Sequence, residues 1–437
     1  MTGRARLQTL VCLLVVLCGA LSLAQGNQNL APVVVVRAGH VLDVRTGKTE
    51  NNQAILIEGG KITSVGPAVT YKLPAGSMVI DLPNATVLPG LIDAHTHLTG
   101  NPTDFGYSGL GISVPRSALI GAHNAKITLE AGFTTVRNVG ADGYSDVALR
   151  DAINDGDVPG PRMLVSGPPL GITGGHCDND LLPYDYHASA DGVADGVEGV
   201  QHKVREVIKY GADLIKFCAT GGVLSKGDDP NAAQYTLEEM KAIVADAHRL
   251  GRKVAAHAHG AQGVIFASEA GVDSVEHGHL MNDEAIATLK KNGTYLVPTL
   301  YLMDWHRENA AKANLPDFLQ KKMVMVSAQG QNAAKKAFGA GVKIGFGTDA
   351  AVYPHGLNAH EFAVYVRLGM TPLQAIQTAT INDADLIGWP DKVGTLEPGR
   401  WADIIAVDGD PLQDVAVLQH VKFVMKGGSV VKNDYAK

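Results

Sequence analysis

The sequence predicts an α/β protein: a (β/α)8 TIM barrel carrying a small β-sandwich domain formed from both termini. Three observations predict it. Short apolar strands alternate with helical segments eight times between residues 90 and 350, the pattern of a closed parallel barrel. Strand-and-turn runs occur at both ends of the chain and not in the middle, so one β-rich unit can clasp a central domain. The 437 residues exceed one small domain. They suit a barrel of ~250–300 residues with a smaller module.

In chain order, residues 1–24 read as a signal peptide. Arg4 and Arg6 precede the apolar run LVCLLVVL (10–17), and Ser22-Leu23-Ala24 offers small residues for cleavage. The run is shorter than the ~20 residues a spanning helix needs. Leu17 before Cys18 speaks against a lipoprotein signal. No other stretch is long and apolar enough to span, so the expectation is a periplasmic or secreted protein with no membrane association after cleavage. Residues 25–88 form the first part of the β-sandwich domain, through VVVVRAGHVLDV (33–44), QAILIEGGKITSVG (53–66) and MVIDLPNATVLPG (78–90). Residues 393–437 supply the rest, through ADIIAVDGDP (402–411) and HVKFVMKGGSVVKN (420–433). Residues 89–392 hold the barrel. Its strand candidates are 90–97, 133–140, 162–167, 213–220, 253–260, 273–279, 294–300 and 343–350. Helical patterns such as 237–251 and 260–271 lie between them, stopped by Gly251 and Gly271.

Composition excludes some functions. Hydrophobic residues at 46% and charged residues at 19% exclude disorder. The net charge of −7, with no Lys/Arg-rich run, argues against nucleic acid as a partner. Removing residues 1–24 takes away two arginines and no acid, leaving 35 basic against 44 acidic residues and a net −9. It also removes Cys12 and Cys18; the remaining Cys177 and Cys218 are no disulfide framework and read as two separate thiols, with one bridge between them the alternative in an oxidising compartment. Histidine stands out. Of 16, six fall in three His-x-His pairs, where chance placement predicts about 0.6 such pairs.

In a barrel of this kind the active site forms at the C-terminal ends of the strands. Five of these ends carry ligand-type residues. His95 and His97 end the first strand, and residues i and i+2 share a strand face. Lys216 lies in the fourth, His257 ends the fifth with His259 two residues on, His277 ends the sixth, and Asp349 ends the eighth. Imidazole and carboxylate are the usual Zn2+ donors.

His95-Thr-His97 after Pro89-Gly90, then Lys216, His257, His277 and Gly347-Thr348-Asp349, resembles the amidohydrolase superfamily. Within it the chain is most similar to the exported prolidase/carboxypeptidase-like amidohydrolases, a group that includes ochratoxin-hydrolysing enzymes. TGGH (173–176), IKFCATGG (215–222), HAHG (257–260), VEHG (275–278), GTDA (347–350) and PHG (354–356) carry that likeness. The resemblance implies two divalent metal ions, Zn2+ by preference. His95, His97 and Asp349 would hold one, His257 and His277 the other, and a CO2-derived carbamate on Lys216 would bridge them. An unmodified lysine is only a cationic donor, whereas its carbamate is an anionic ligand. Two such ions lower the pKa of a shared water toward neutrality. Asp349 would take its proton and deliver it to the leaving nitrogen.

Substrate residues rest on less. A free carboxylate needs a cation or strong donors. Tyr235, after the loop 221–234, is the candidate donor, and Arg137 at the end of the second strand would point to the mouth unless it holds a loop by an ion pair. His176, in the Gly-rich loop after the third strand, could reach the carbonyl oxygen. His259 is assigned to substrate or outer contacts, and His279 to an outer contact. Trp305 and Tyr301 read as packing rather than pocket walls. The expected reaction is hydrolysis of an amide next to a terminal amino acid, in a dipeptide, an N-acyl amino acid or an ochratoxin-like compound. Cyclic amidase, imidazolonepropionase-like, lactonase and deaminase activities are the alternatives. A homo-oligomer is compatible with the resemblance.

Overall fold

The computed structural model describes residues 33–313 and 317–436. The expected signal peptide, 1–24, lies outside them. The chain forms strands β1 (Val34–Leu42), β2 (Thr49–Glu58), β3 (Lys61–Pro67) and β4 (Met78–Pro89). The barrel strands follow: β5 (Leu91–Thr96), β6 (Phe133–Asn138), β7 (Arg162–Val165), β8 (Leu214–Cys218), β9 (Lys253–Gly260), β10 (Ser274–Leu280) and β11 (Tyr295–Val297). The last three are β12 (Ile404–Asp408), β13 (Phe423–Lys426) and β14 (Ser429–Asn433).

Both termini build one seven-stranded sheet, in the order β14-β13-β12-β4-β1-β2-β3. Its alternation is what a half-buried strand requires. In β4, Ile80 and Leu82 are buried while Asp81 faces out, opposite Arg37 of β1. The sheet then curls on itself. Lys61 bridges Trp401, Ile62 N–H donates to Arg400 O, and Ala402 N–H donates to Gly60 O. Val36, Ile55, Ile57, Leu82, Ile404, Phe423 and Met425 fill the enclosed core.

The barrel strands run in parallel as β5-β6-β7 and as β8-β9-β10-β11. Two seams close the ring. Leu170 pairs with Phe217 beyond β7, and the run 343–350 bridges β11 at Leu296–Ile344 and β5 at Thr96–Ala350. The eighth strand expected over 343–350 is thus an extended seam rather than a regular strand. Asp349 and Ala351 have positive φ (59° and 122°), which breaks the ladder. Gly347 sits within this seam because a Cβ there would lie 2.3 Å from Val297 and 2.7 Å from His95.

Helices cover the barrel where the apolar period is 3.6. The segment expected over 237–251 is the helix Leu237–Arg249, started by a Thr236/Glu239 capping box that contributes about 1 kcal/mol. The helix Ala261–Ala270 ends at Gly271, whose φ of 92° is the left-handed cap glycine tolerates. The β-domain meets the barrel strands at their starts. Gly90 N–H donates to Asp403 O, and Arg162 pairs with Asp403 while lying over the Trp401 ring. The opposite end of the barrel remains open. Among the described residues, no helix is long and apolar enough to cross a membrane.

Candidate active site

At the C-terminal ends of the strands lies a cavity of about 610 Å3. His95, His97, Lys216, His257, His277, Asp349, His176, His259 and His279 all line it. Strand geometry puts them there. Asp93 and His95, Lys216 and Cys218, and His257 and His259 are i, i+2 pairs on β5, β8 and β9. His277 would face away from Glu276 in a regular strand. Its φ of 72° interrupts that alternation. His277 and Asp349 are both non-glycine residues in left-handed conformations, a strain that surrounding structure has to hold.

The imidazoles form a contiguous array. Ring centroids lie 5.4 Å apart for His95–His97, 4.8 Å for His95–His277, 4.7 Å for His257–His277 and 4.3 Å for His176–His257. Four of them spend Nδ1 on the protein: His95 on Glu276 at 2.7 Å, His97 on Gly140 O at 3.2 Å, His277 on Thr299 Oγ1 at 2.8 Å and His176 on Ser225 Oγ at 2.8 Å. That leaves each Nε2 for another partner. His95 Nε2 and His97 Nε2 lie 3.5 and 3.3 Å from Asp349 Oδ1. His95, His97 and Asp349 have ligand atoms within 4.8 Å of one another. Nε2 of both His95 and His257 is buried with no hydrogen-bond partner. Such orphaned acceptors are costly unless something binds them. The donor set therefore fits divalent metal.

Electrostatics agree with that fit. Burial, reinforced by neighbouring cations and imidazoles, pushes His257, His259 and His277 well below the usual histidine range, so they are neutral, as ligands must be. Burial opposes ionisation of Asp349, but the flanking His95 and His97 imidazoles outweigh it and hold the carboxyl well below its usual range. Lys216 is buried, and burial lowers its ammonium to about 8 against the pull of Glu276 and Asp349.

Beneath these groups lies a layer that sequence reasoning missed. Glu276 is fully buried and accepts from His95 Nδ1, Arg137 at 2.8 Å and Ser274 at 2.5 Å. Burial would raise its carboxyl, but the Arg137 guanidinium and His95 hold it at about 2. Asp93 accepts from Thr348 Oγ1, Asn358 and the His95 backbone N–H, so it ties the first strand to the seam that carries Asp349. The VEHG stretch was a signal for Glu276, since a Glu on a strand buried on both faces needs a cation.

Three expectations need correction. Tyr235 does not line the cavity: it is 1% exposed, packs edge-on to Phe217, and its OH donates to Ala194 O. Arg137 does not point to the mouth. It is 2% exposed, and its guanidinium is held by Glu276, Ser274 and Ala94 O. Cys177 and Cys218 are not separate thiols but a disulfide with Cα–Cα 6.0 Å. The Leu170–Phe217 seam brings the loop after β7 alongside β8 and so joins positions 41 residues apart. Trp305 and Tyr301 pack against the core, as expected, while Leu302, Met303, Met323 and Val326 line the cavity.

The comparisons with known proteins point the same way. Ochratoxinase of Aspergillus niger is 34% identical over 436 residues, covering 92% of this chain and 87% of the relative. Its crystal structure superposes with a TM-score of 0.81 at 31% identity, covering 94% of this chain and 98% of that one. The crystal structure of a Xaa-Pro dipeptidase with bound methionine in the active site has a TM-score of 0.87 at 37% identity, covering 92% of this chain and all of that one. The amidohydrolase profile matches residues 86–431, from β4 of the β-domain through the whole barrel to β14. With these likenesses over nearly its full length, the chain belongs to the amidohydrolase family.

Proposed function

We propose that this protein is a binuclear metal-dependent hydrolase that cleaves the amide bond next to a terminal amino acid. One observation carries the reading: the hydrogen-bond-orphaned Nε2 atoms of His95 and His257 belong to residues that line one cavity with His97, His277 and Asp349. His95, His97 and Asp349 would hold one ion, and His257 and His277 the second. When bound, the ions supply a Lewis acid and a water of lowered pKa. Lys216, whose ammonium is lowered to about 8, offers the neutral amine whose nitrogen would attack CO2 and lose a proton, and the resulting carbamate would serve as an anionic ligand. Asp349 accepts the water's proton and passes it to the leaving nitrogen.

The substrate class follows from the walls. Leu302, Met303, Met323 and Val326 form an apolar side that suits a bulky apolar side chain or acyl group. His259 lines the same cavity and is the remaining candidate for the carboxylate contact that Tyr235 cannot make. The relatives fit the same class: one is an ochratoxinase and another a Xaa-Pro dipeptidase. The test is a panel of N-acyl amino acids and dipeptides, including Xaa-Pro and Xaa-Phe, each paired with its C-terminal amide and assayed with Zn2+. Hydrolysis of free acids over amides is expected. Equal rates on both would remove the terminal-carboxylate requirement.

A further inference from the structure

Glu361 is a buried acid that the proposed chemistry leaves unused. It is fully buried on the helix His360–Arg367, which follows the seam carrying Asp349. Its carboxylate is spent on two backbone N–H groups of another element. Oε1 accepts from Leu300 N–H at 2.7 Å and Oε2 from Tyr301 N–H at 2.6 Å. Burial pushes its carboxyl up to about 8, and these two donors oppose that rise. An acid buried without a cation is costly, and such local costs cluster where a site has to be shaped.

The two amides open the turn from β11 into the helix Tyr301–Ala313. N–H groups at a helix start have no partner within the helix, and a carboxylate suits that position. Thr299, just before them, has a φ of 48°, a strained conformation for a β-branched residue. Just after them come Leu302 and Met303, which belong to the apolar side of the cavity. Arg367, at the other end of the helix that carries Glu361, pairs with Asp304 at 2.5 Å. One helix thus grips residues 300–304 through both Glu361 and Arg367. Met303 is confined from the helix Asp317–Ala340 as well, because a Cβ on Gly330 would lie 2.3 Å from its Cε.

We propose that Glu361 is a positioning residue for substrate choice: by holding the Leu300 and Tyr301 amides it fixes Leu302 and Met303 as the wall that receives a bulky apolar group of the substrate. Without that grip the helix start shifts, and the pocket loses its advantage for a bulky group over a small one. The substrate half rests on the amide-hydrolase reading; the anchored turn does not.

Two measurements test it. Glu361→Gln keeps the shape but turns an amide nitrogen toward one of the two N–H groups. N-acetylphenylalanine and N-benzoylalanine, each compared with N-acetylalanine, read the choice from either end of the substrate. In the variant, kcat/KM for at least one bulky compound should fall about tenfold relative to N-acetylalanine, mainly through KM. In a Leu302→Ala/Met303→Ala background the same substitution should change that ratio no further. Equal losses on all three compounds, the mark of a general structural role, would overturn the proposal. So would wild-type ratios in Leu302→Ala and Met303→Ala, a result that stands even if Glu361→Gln does not fold. Hydrogen exchange of the full-length protein needs no substrate: the Leu300 and Tyr301 amides should be protected in wild type and exchange about tenfold faster in Glu361→Gln. Free exchange of both amides in wild type would overturn the anchored turn. A wild type that hydrolyses none of the amides would count against the enzyme reading, and hydrogen exchange would still decide the turn.

Discussion

The open end of the barrel and the β-domain are built by opposite rules. In the β-domain, ladders pair the backbone, apolar residues such as Phe423 and Met425 fill the core, and charges such as Arg37 and Asp81 stay outside and paired. At the barrel mouth, Asp349 and His277 sit in left-handed conformations, and buried imidazole nitrogens of His95, His257, His259 and His279 have no partner. A folded protein keeps such strain only where something else uses it. The difference separates residues that hold the molecule together from residues proposed to do the chemistry.

The comparison breaks most visibly if mouth substitutions do not separate activity from stability. Asp349→Asn keeps the shape and tolerates the left-handed backbone but removes the anion proposed as ligand and proton acceptor. It should lower kcat by about three orders of magnitude or more, and His97→Ala should do the same. Thermal melting of metal-free Asp349→Asn should stay within about 3 °C of wild type, because the side chain keeps its volume. Near-wild-type turnover by Asp349→Asn would remove its role as proton carrier.

The reverse is expected in the β-domain. Phe423 is fully buried in that core, so Phe423→Ala should cost about 3–5 kcal/mol in urea unfolding. Turnover per folded molecule should remain within about twofold. A large loss of turnover without a loss of stability would mean that the β-domain takes part in the chemistry.

A smaller effect sharpens the contrast within the β-domain. Glu397 accepts from Arg45 at 2.9 Å and from Arg400 at 2.9 Å, and the Arg45 guanidinium, ahead of opposing burial, holds its carboxyl at about 2. A carboxyl lowered on folding contributes stability above its ordinary value of 4.5 and loses that contribution as pH falls toward 2. Wild type should therefore melt slightly above Glu397→Gln at pH 6, and the gap should close by about pH 2. A gap that widens in acid would reverse the sign assigned to this pair.

Much of this architecture was legible in the sequence. Strand–helix alternation gave the barrel, and the likeness of the two ends gave the β-domain. His95 and His97 were readable as a pair because i, i+2 residues share a strand face. The layer below them was not. Strands buried on both faces show no alternation, so the inward direction of Glu276 and Arg137 left no periodic trace. Tyr235 looked available because it follows a polar loop, but its hydroxyl turns back to Ala194. The Cys177–Cys218 bond depends on a seam between segments that only the closed barrel brings together. The left-handed backbone at His277 and Asp349 was equally hidden, because the residue types there do not demand it.

The central claim is that the histidine-lined cavity is a two-metal amide hydrolase site. The most direct measurement is a Zn2+ titration of chelator-treated, bicarbonate-equilibrated protein, with bound metal and N-acyl-phenylalanine hydrolysis read on the same samples. The account predicts no turnover without metal and activity that rises to a plateau at two zinc ions per chain. Full turnover in metal-free protein, or stoichiometric zinc with no hydrolysis of any amide in the panel, would contradict it.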